Sequence, residues 1–246
     1  MPFTFSHPAI ILPLSKVHYS KLSLTGLITG SLAPDFEYFI LMRMQRTHGH
    51  ELGSFFWFNL PICIILAIIY HGIVKVPLIN SLPHFLYERL VKHKNINWFT
   101  YLKRYWHVFI YSSAIGVTSH IIWDSFTHDN GLLGASPGFL HLTVPYFNMK
   151  LFAVLQLLST IIGGLYILLF LSKLPFSAAK KQPVLQKMMF WMNVFLMMSI
   201  IFIINPPISL PSFIAITIGS FLYSIIGSAI YYKIYERIYS KRKAQF

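Results

Sequence analysis

The sequence predicts an all-α fold, a polytopic integral membrane helical bundle of five to six spans. Three observations predict it. Of 246 residues, 55% are hydrophobic and only 11% charged, and mean hydropathy is +0.60, whereas soluble domains carry about 25% charged residues. The apolar residues fall in long uninterrupted runs. The Lys and Arg residues fall between those runs, in blocks.

Four runs are clear: Leu60–Val74, Leu151–Leu171, Met188–Ile204 and Ser212–Tyr232. The first reaches span length if Phe55–Asn59 joins it, because a span needs about 20 residues. Two further segments are apolar but interrupted. Leu22–Met42 contains Pro34, Asp35 and Glu37, and Val108–Phe126 contains His120 and Asp124. All six read as helices, because they lack strand alternation and exceed strand length. The chain divides into residues 1–172, a helical membrane domain bearing the polar clusters, and 173–246, a C-terminal helical hairpin with a basic tail.

Fifteen of the 20 basic residues lie in Lys75–Arg104, Lys173–Lys187 and Lys233–Lys243. Two helices separate each block from the next, so all three share one face, which the positive-inside rule makes cytoplasmic. Residues 127–149 and 205–211 carry no Lys or Arg, while Arg43 and Arg46 sit in the remaining outer loop. Six spans with both termini inside satisfies every block. The expected location is the cytoplasmic (inner) membrane, and the expected partners are membrane lipids.

The net charge of +13 is therefore a topology signal. Nucleic-acid binding is excluded, since these cations flank spans and form no soluble basic fold. The single Cys63 forms no disulfide framework and no cysteine-based zinc site, and reads as a small hydrophobe. The N-terminus reads as neither a signal peptide nor a lipidation site. Trp57, Trp98 and Trp106 suit interfacial belts. His71 and His107 read as interfacial, and His84 and His93 as solvated. His18 and His141 belong to no constellation.

Ionisable residues within spans are costly and default to functional hypotheses. His120, Asp124 and His128 stand at i, i+4 and i+8. Four residues advance a helix by about 400°, so the three side chains form one stripe. Two imidazoles and a carboxylate on one face suit a divalent metal such as zinc, manganese or iron, zinc first among them. The competing reading is a polar stripe satisfied by neighbouring helices. In Gly30-Ser31-Leu32-Ala33-Pro34-Asp35, Pro34 breaks the helix. Asp35 then reads either as a metal ligand projecting from the break or as a cap on the next helix. In Thr47-His48-Gly49-His50-Glu51, one of His48 and His50 is a candidate ligand and Glu51 a candidate general base. A helix cap or interface anchor is the alternative there. Asp124 is the other candidate for a catalytic carboxylate.

These motifs also carry a resemblance. MPFTFSHPA, GSLAPDFEYF, HGHELGSFFWFNLP, YHGIVKVPLINSLP, GVTSHIIWDSFTHDNG and LQLLSTIIG resemble, in order, motifs of domain-of-unknown-function family 4184, a family of bacterial membrane proteins. The likeness covers most of the first 165 residues, and the last two spans match only as hydrophobic helices. The family is distantly similar to YdjM-type inner-membrane metal-dependent hydrolases. These share with zinc-dependent phospholipase C an early His, a Pro-Asp after small residues, a middle His and a helical H-x3-D-x3-H. The resemblance implies His7, Asp35, His48 or His50, His120, Asp124 and His128 as ligands.

The expected function is metal-dependent hydrolysis of a lipid-like or phosphoester substrate. The alternative is a non-enzymatic membrane protein, an ion- or proton-coupled transporter or an assembly factor. His7 raises a topological question, since a cytoplasmic N-terminus sets it opposite the other ligands. Either the N-terminal segment re-enters, or the first span does not cross, the N-terminus lies outside and five spans remain.

Overall fold

A computed structural model of the chain describes residues 3–43, 48–51, 53–129 and 137–243, with side chains through residue 238. Arg46 and Thr47 of the outer loop lie outside the described residues. The helices are α1 (Pro8–Ile11), α2 (Leu24–Leu32), α3 (Phe36–Leu41), α4 (Phe55–Ser81), α5 (His84–Lys94), α6 (Trp98–Thr127), α7 (Leu151–Ser172), α8 (Val184–Ile204) and α9 (Leu210–Lys243). Two short strands, β1 (Thr143–Val144) and β2 (Met149–Lys150), pair antiparallel before α7.

Four helical segments are long and apolar enough to cross a membrane: Phe55–Ser81, Leu151–Ser172, Val184–Ile204 and Leu210–Ile238. The chain is a helical membrane protein. Along α7 the apolar side chains stay open, with Ile161 59% and Ile162 63% exposed, as a surface solvated by lipid requires. Phe55–Asn59 does join the first run. It is π-helical, as is Tyr70–Val74. Each π turn contains the carbonyl, Trp57 or Ile73, that a proline four residues on, Pro61 or Pro77, leaves without its usual donor.

Leu22–Met42 is not one continuous α-helix. Ser23 caps α2 by accepting from the Gly26 N–H at 3.2 Å. At Pro34 the chain tightens into a 3-10 turn, Ala33–Asp35, before α3. α3 ends at Met42, which has a φ of 51°. The lost donor of Pro34 and its clash with the preceding turn account for the break. The Val108–Phe126 segment is part of a longer helix, α6, kinked at Tyr105.

The chain forms two compact units. One comprises Met1–Glu37, Arg46–Leu66 and Phe99–Lys173. In it α2 and α6 touch backbone to backbone. A Cβ on Gly30 would overlap the Ser113 backbone, and one on Gly116 would overlap the Leu27 carbonyl. Small residues at such crossings are how helices approach closely in membranes. The contact sets Ser31 and Asp35 opposite His120 and Asp124. The N-terminal segment lies on α7: Phe3 N–H donates to Thr160 Oγ1 and Ser6 Oγ to the Thr160 carbonyl, both at 3.1 Å. Cys63 is fully buried, a small hydrophobe as expected.

The other unit comprises Tyr38–Gln45, Ala67–Trp98 and Leu174–Phe246. Its core joins Val74, Phe190, Val194, Ile225, Ala229 and Tyr232. Three expectations change here. Trp98 is buried and stacks on His71 with ring centroids 4.8 Å apart, so it is not a belt residue. Lys75, counted among the basic-face cations, is also buried and donates to the Ile96 carbonyl at 2.7 Å. His84 is half-buried and sits 3.2 Å from Glu88 rather than free in solvent.

Candidate metal centre

Asp35, His50, His120 and Asp124 each bring one ligand atom to a common point, all within 4.8 Å of one another. Asp35, His120 and Asp124 are buried. His50 Nε2 lies 3.2 Å from Asp124 Oδ2 and 3.5 Å from Asp35 Oδ1. His120 Nε2 lies 3.6 Å from Asp35 Oδ1 and 3.5 Å from Asp124 Oδ2. Donors around a four-coordinate ion at about 2.0–2.1 Å stand about 3.3–3.4 Å apart, and these four of the six donor–donor distances lie close to that value.

Each side chain is held by the fold. His120 Nδ1 is 2.7 Å from the Ser31 carbonyl. A carbonyl only accepts, so Nδ1 carries a proton, and Nε2 faces the two carboxylates. His120 Nε2 and Asp35 Oδ1 are both buried without a hydrogen-bond partner among the described residues. Two buried carboxylates facing one imidazole nitrogen call for a positive charge among them, a proton on Nε2 or a metal ion. Asp35 turns to this point rather than capping α3. Its other oxygen, Oδ2, accepts from Thr4 Oγ1 at 2.6 Å.

Two more predicted ligands converge on the far oxygen of Asp124. Oδ1 lies 3.2 Å from His7 Nε2 and 3.3 Å from His128 Nδ1. His7 is buried, and its ring stacks on His120 at 3.9 Å. Burial, reinforced by the neighbouring His120, holds the His7 imidazole below its usual range against the pull of Asp124 and Asp35. It is therefore neutral near pH 7, the form that ligates metal. α6 ends at Thr127, so His128 stands one residue past the helix. Its Nδ1 turns back to the Asp124 carbonyl at 3.2 Å.

The paired histidines separate. His48 pairs with Glu37: its backbone N–H donates to Oε2 at 3.0 Å, and Nδ1 lies 3.1 Å from Oε1. His50 faces the cluster. Gly49 between them lies against Pro34, where a Cβ would overlap the Pro34 carbonyl. The buried Asn59 amide donates to the Gly49 carbonyl at 3.0 Å. Glu51 follows His50 and is exposed.

A family model described as Domain of unknown function (DUF4184) matches residues 1–236. The chain belongs to this family. The match takes in the whole cluster and extends into the last apolar helix, beyond the first 165 residues where the motifs are specific. No curated protein and no solved structure matches the chain.

In this DUF4184 member three supports of the cluster, Thr4, Ser31 and Glu37, lie inside the MPFTFSHPA and GSLAPDFEYF motifs but had no site role assigned to them. Thr4 and Ser31 orient ligands through a hydroxyl and a carbonyl, and Glu37 holds the 48–51 turn. The small residues around the break, Gly26-x3-Gly30-Ser31, were the available signal for the close helix crossing. Thr4→Val removes the hydroxyl donor on Asp35 while keeping its volume. Metal affinity should fall about 10–100-fold, the usual effect of losing such a ligand partner, with the circular dichroism spectrum unchanged. Isothermal titration with zinc measures this.

Proposed function

We propose that this protein is a membrane-embedded metal-dependent hydrolase acting on a lipid-like phosphoester. The observation that carries the reading is the buried facing of His120 Nε2 and Asp35 Oδ1, both without hydrogen-bond partners among the described residues. Asp35, His50, His120 and Asp124 would hold a divalent ion, zinc by donor set and spacing. His7 and His128, on the other oxygen of Asp124, would hold a second. Such an ion, when bound, supplies Lewis acidity that polarises a phosphoryl oxygen and acidifies water. The resemblance of the ligand order to zinc phospholipase C supports hydrolysis as the reaction class.

The chain's own residues have distinct tasks. Both oxygens of Asp124 are engaged by imidazoles, which suits a ligand and leaves it little capacity to take a proton. Glu51, exposed and directly after His50, is the general base that accepts the proton of the attacking water. The 48–51 turn, held by Glu37 and Asn59, forms the mouth of the site.

Five spans fit this reading best: the four apolar helices and α6. His7 meets Asp124, so the N-terminal segment and the cluster share the outer end. The basic blocks then share the cytoplasmic face of the inner membrane. This topology sets the metal site at the outer interface, within reach of lipid headgroups. Purified protein in detergent, assayed on short-chain phospholipids with and without a chelator, tests the activity. Hydrolysis should vanish with chelator, return with zinc, and fall at least about 100-fold in Glu51→Gln, as loss of a general base does. Absence of hydrolysis in metal-loaded detergent samples, with ion flux in sealed vesicles, would favour a transporter.

A further inference from the structure

The second compact unit carries an open groove of about 790 Å³ between the first turns of α8 and the later half of α9. Its α8 wall is mostly apolar, formed by Leu185, Met189 and Phe190 with Gln186, and its α9 wall carries Lys233 and Arg237 on either side of Glu236. A volume of this size lies within the range of small-molecule sites.

Tyr232 closes the base of the groove with a hydrogen-bonded network. Tyr232 OH accepts from Gln186 Nε2 at 2.7 Å and from Asn80 Nδ2 at 3.1 Å. Both amides are oriented by their other partners: Asn80 Oδ1 accepts from Lys94 Nζ at 3.1 Å, and Gln186 Nε2 also donates to Glu236 Oε1 at 3.2 Å. Tyr232 therefore accepts twice, and its own hydroxyl also hydrogen-bonds the Glu236 carboxylate. Ser228 also lines the groove. It is fully buried, and its hydroxyl has no partner among the described residues.

We infer that this groove binds an anionic phospholipid, with the phosphate on the α9 cations and an acyl chain along the α8 wall. Charge complementarity and position select this occupant. Lys173–Lys187 holds four cations and no acid, and Lys233–Lys243 holds five cations and one acid, Glu236. The groove lies where two apolar spans meet these blocks, and basic pockets between membrane helices recognise anionic headgroups. Arg237 offers a planar fork to phosphate oxygens. Lys233 donates to the Gly72 carbonyl and retains two further N–H donors. Outward-facing Leu185, 69% exposed, makes the apolar wall continuous with the lipid-facing surface. The inference is independent of the metal centre.

Native mass spectrometry of the full chain in detergent tests it, with phosphatidylglycerol, phosphatidylcholine and inorganic phosphate as probes. Wild type should retain phosphatidylglycerol in preference to phosphatidylcholine, and inorganic phosphate should not displace it. Arg237→Gln should weaken retention about five-fold, the contribution of one basic residue near an anionic lipid. Leu185→Glu, at an exposed position, places a negative charge on the wall and should abolish retention even if Arg237→Gln fails to fold. Equal retention of both lipids, displacement by inorganic phosphate, or unchanged retention in a folded variant would overturn the inference.

Discussion

Asp124→Asn is expected to yield a folded protein that has lost its metal. Asn fills the same volume, so the α2–α6 crossing survives. The anion that draws His7, His50, His120 and His128 together is gone. Both proposed ion sites share this residue, so metal content should fall to background in elemental analysis. Removing one partner from a buried charge cluster costs about 3–5 kcal/mol, and the melting temperature should fall accordingly. By contrast, His48→Ala should keep the metal, because His48 faces Glu37 and not the cluster. A variant pair in which His48→Ala loses metal and Asp124→Asn retains it would reverse the ligand assignment.

The second large effect concerns packing. Gly30→Val drives a branched side chain into the Ser113 backbone. Overpacking typically costs about 1–3 kcal/mol, and a backbone neighbour has little room to yield, so the upper end is expected. The helices would separate where Ser31 fixes the His120 ring and Asp35 faces it. The variant should express poorly, melt at lower temperature and bind metal weakly. Gly164→Ala, on α7 where a Cβ meets open space, should change none of these. Thermal melts of the two variants side by side check this.

Much of the site could be read from residue order because helical geometry is local. The i, i+4 spacing of His120 and Asp124 needs only the period of one helix, and Pro34 breaks its helix whatever surrounds it. The apolar runs were equally plain, since a lipid-facing helix must be apolar along its whole length. What stayed open depended on partners distant in sequence. The choice between His48 and His50 turns on Glu37, which takes His48 and leaves His50 to the cluster. Thr4 and Ser31 are ordinary hydroxyl residues until the fold sets them beside Asp35 and His120. Leu22–Met42 resembled a span by composition, but a 3-10 turn at Pro34 divides it into the short helices Leu24–Leu32 and Phe36–Leu41. Trp98 and Lys75 read as interface residues, and long-range packing buried both.

The most direct test of the metal centre is the zinc, iron and manganese content of the purified wild-type protein, measured by plasma mass spectrometry after removal of loosely held ions. One to two equivalents per chain are expected, lost together in the Asp124→Asn variant. A folded wild-type protein that holds no metal, and takes up none when zinc is added at neutral pH, would contradict the account.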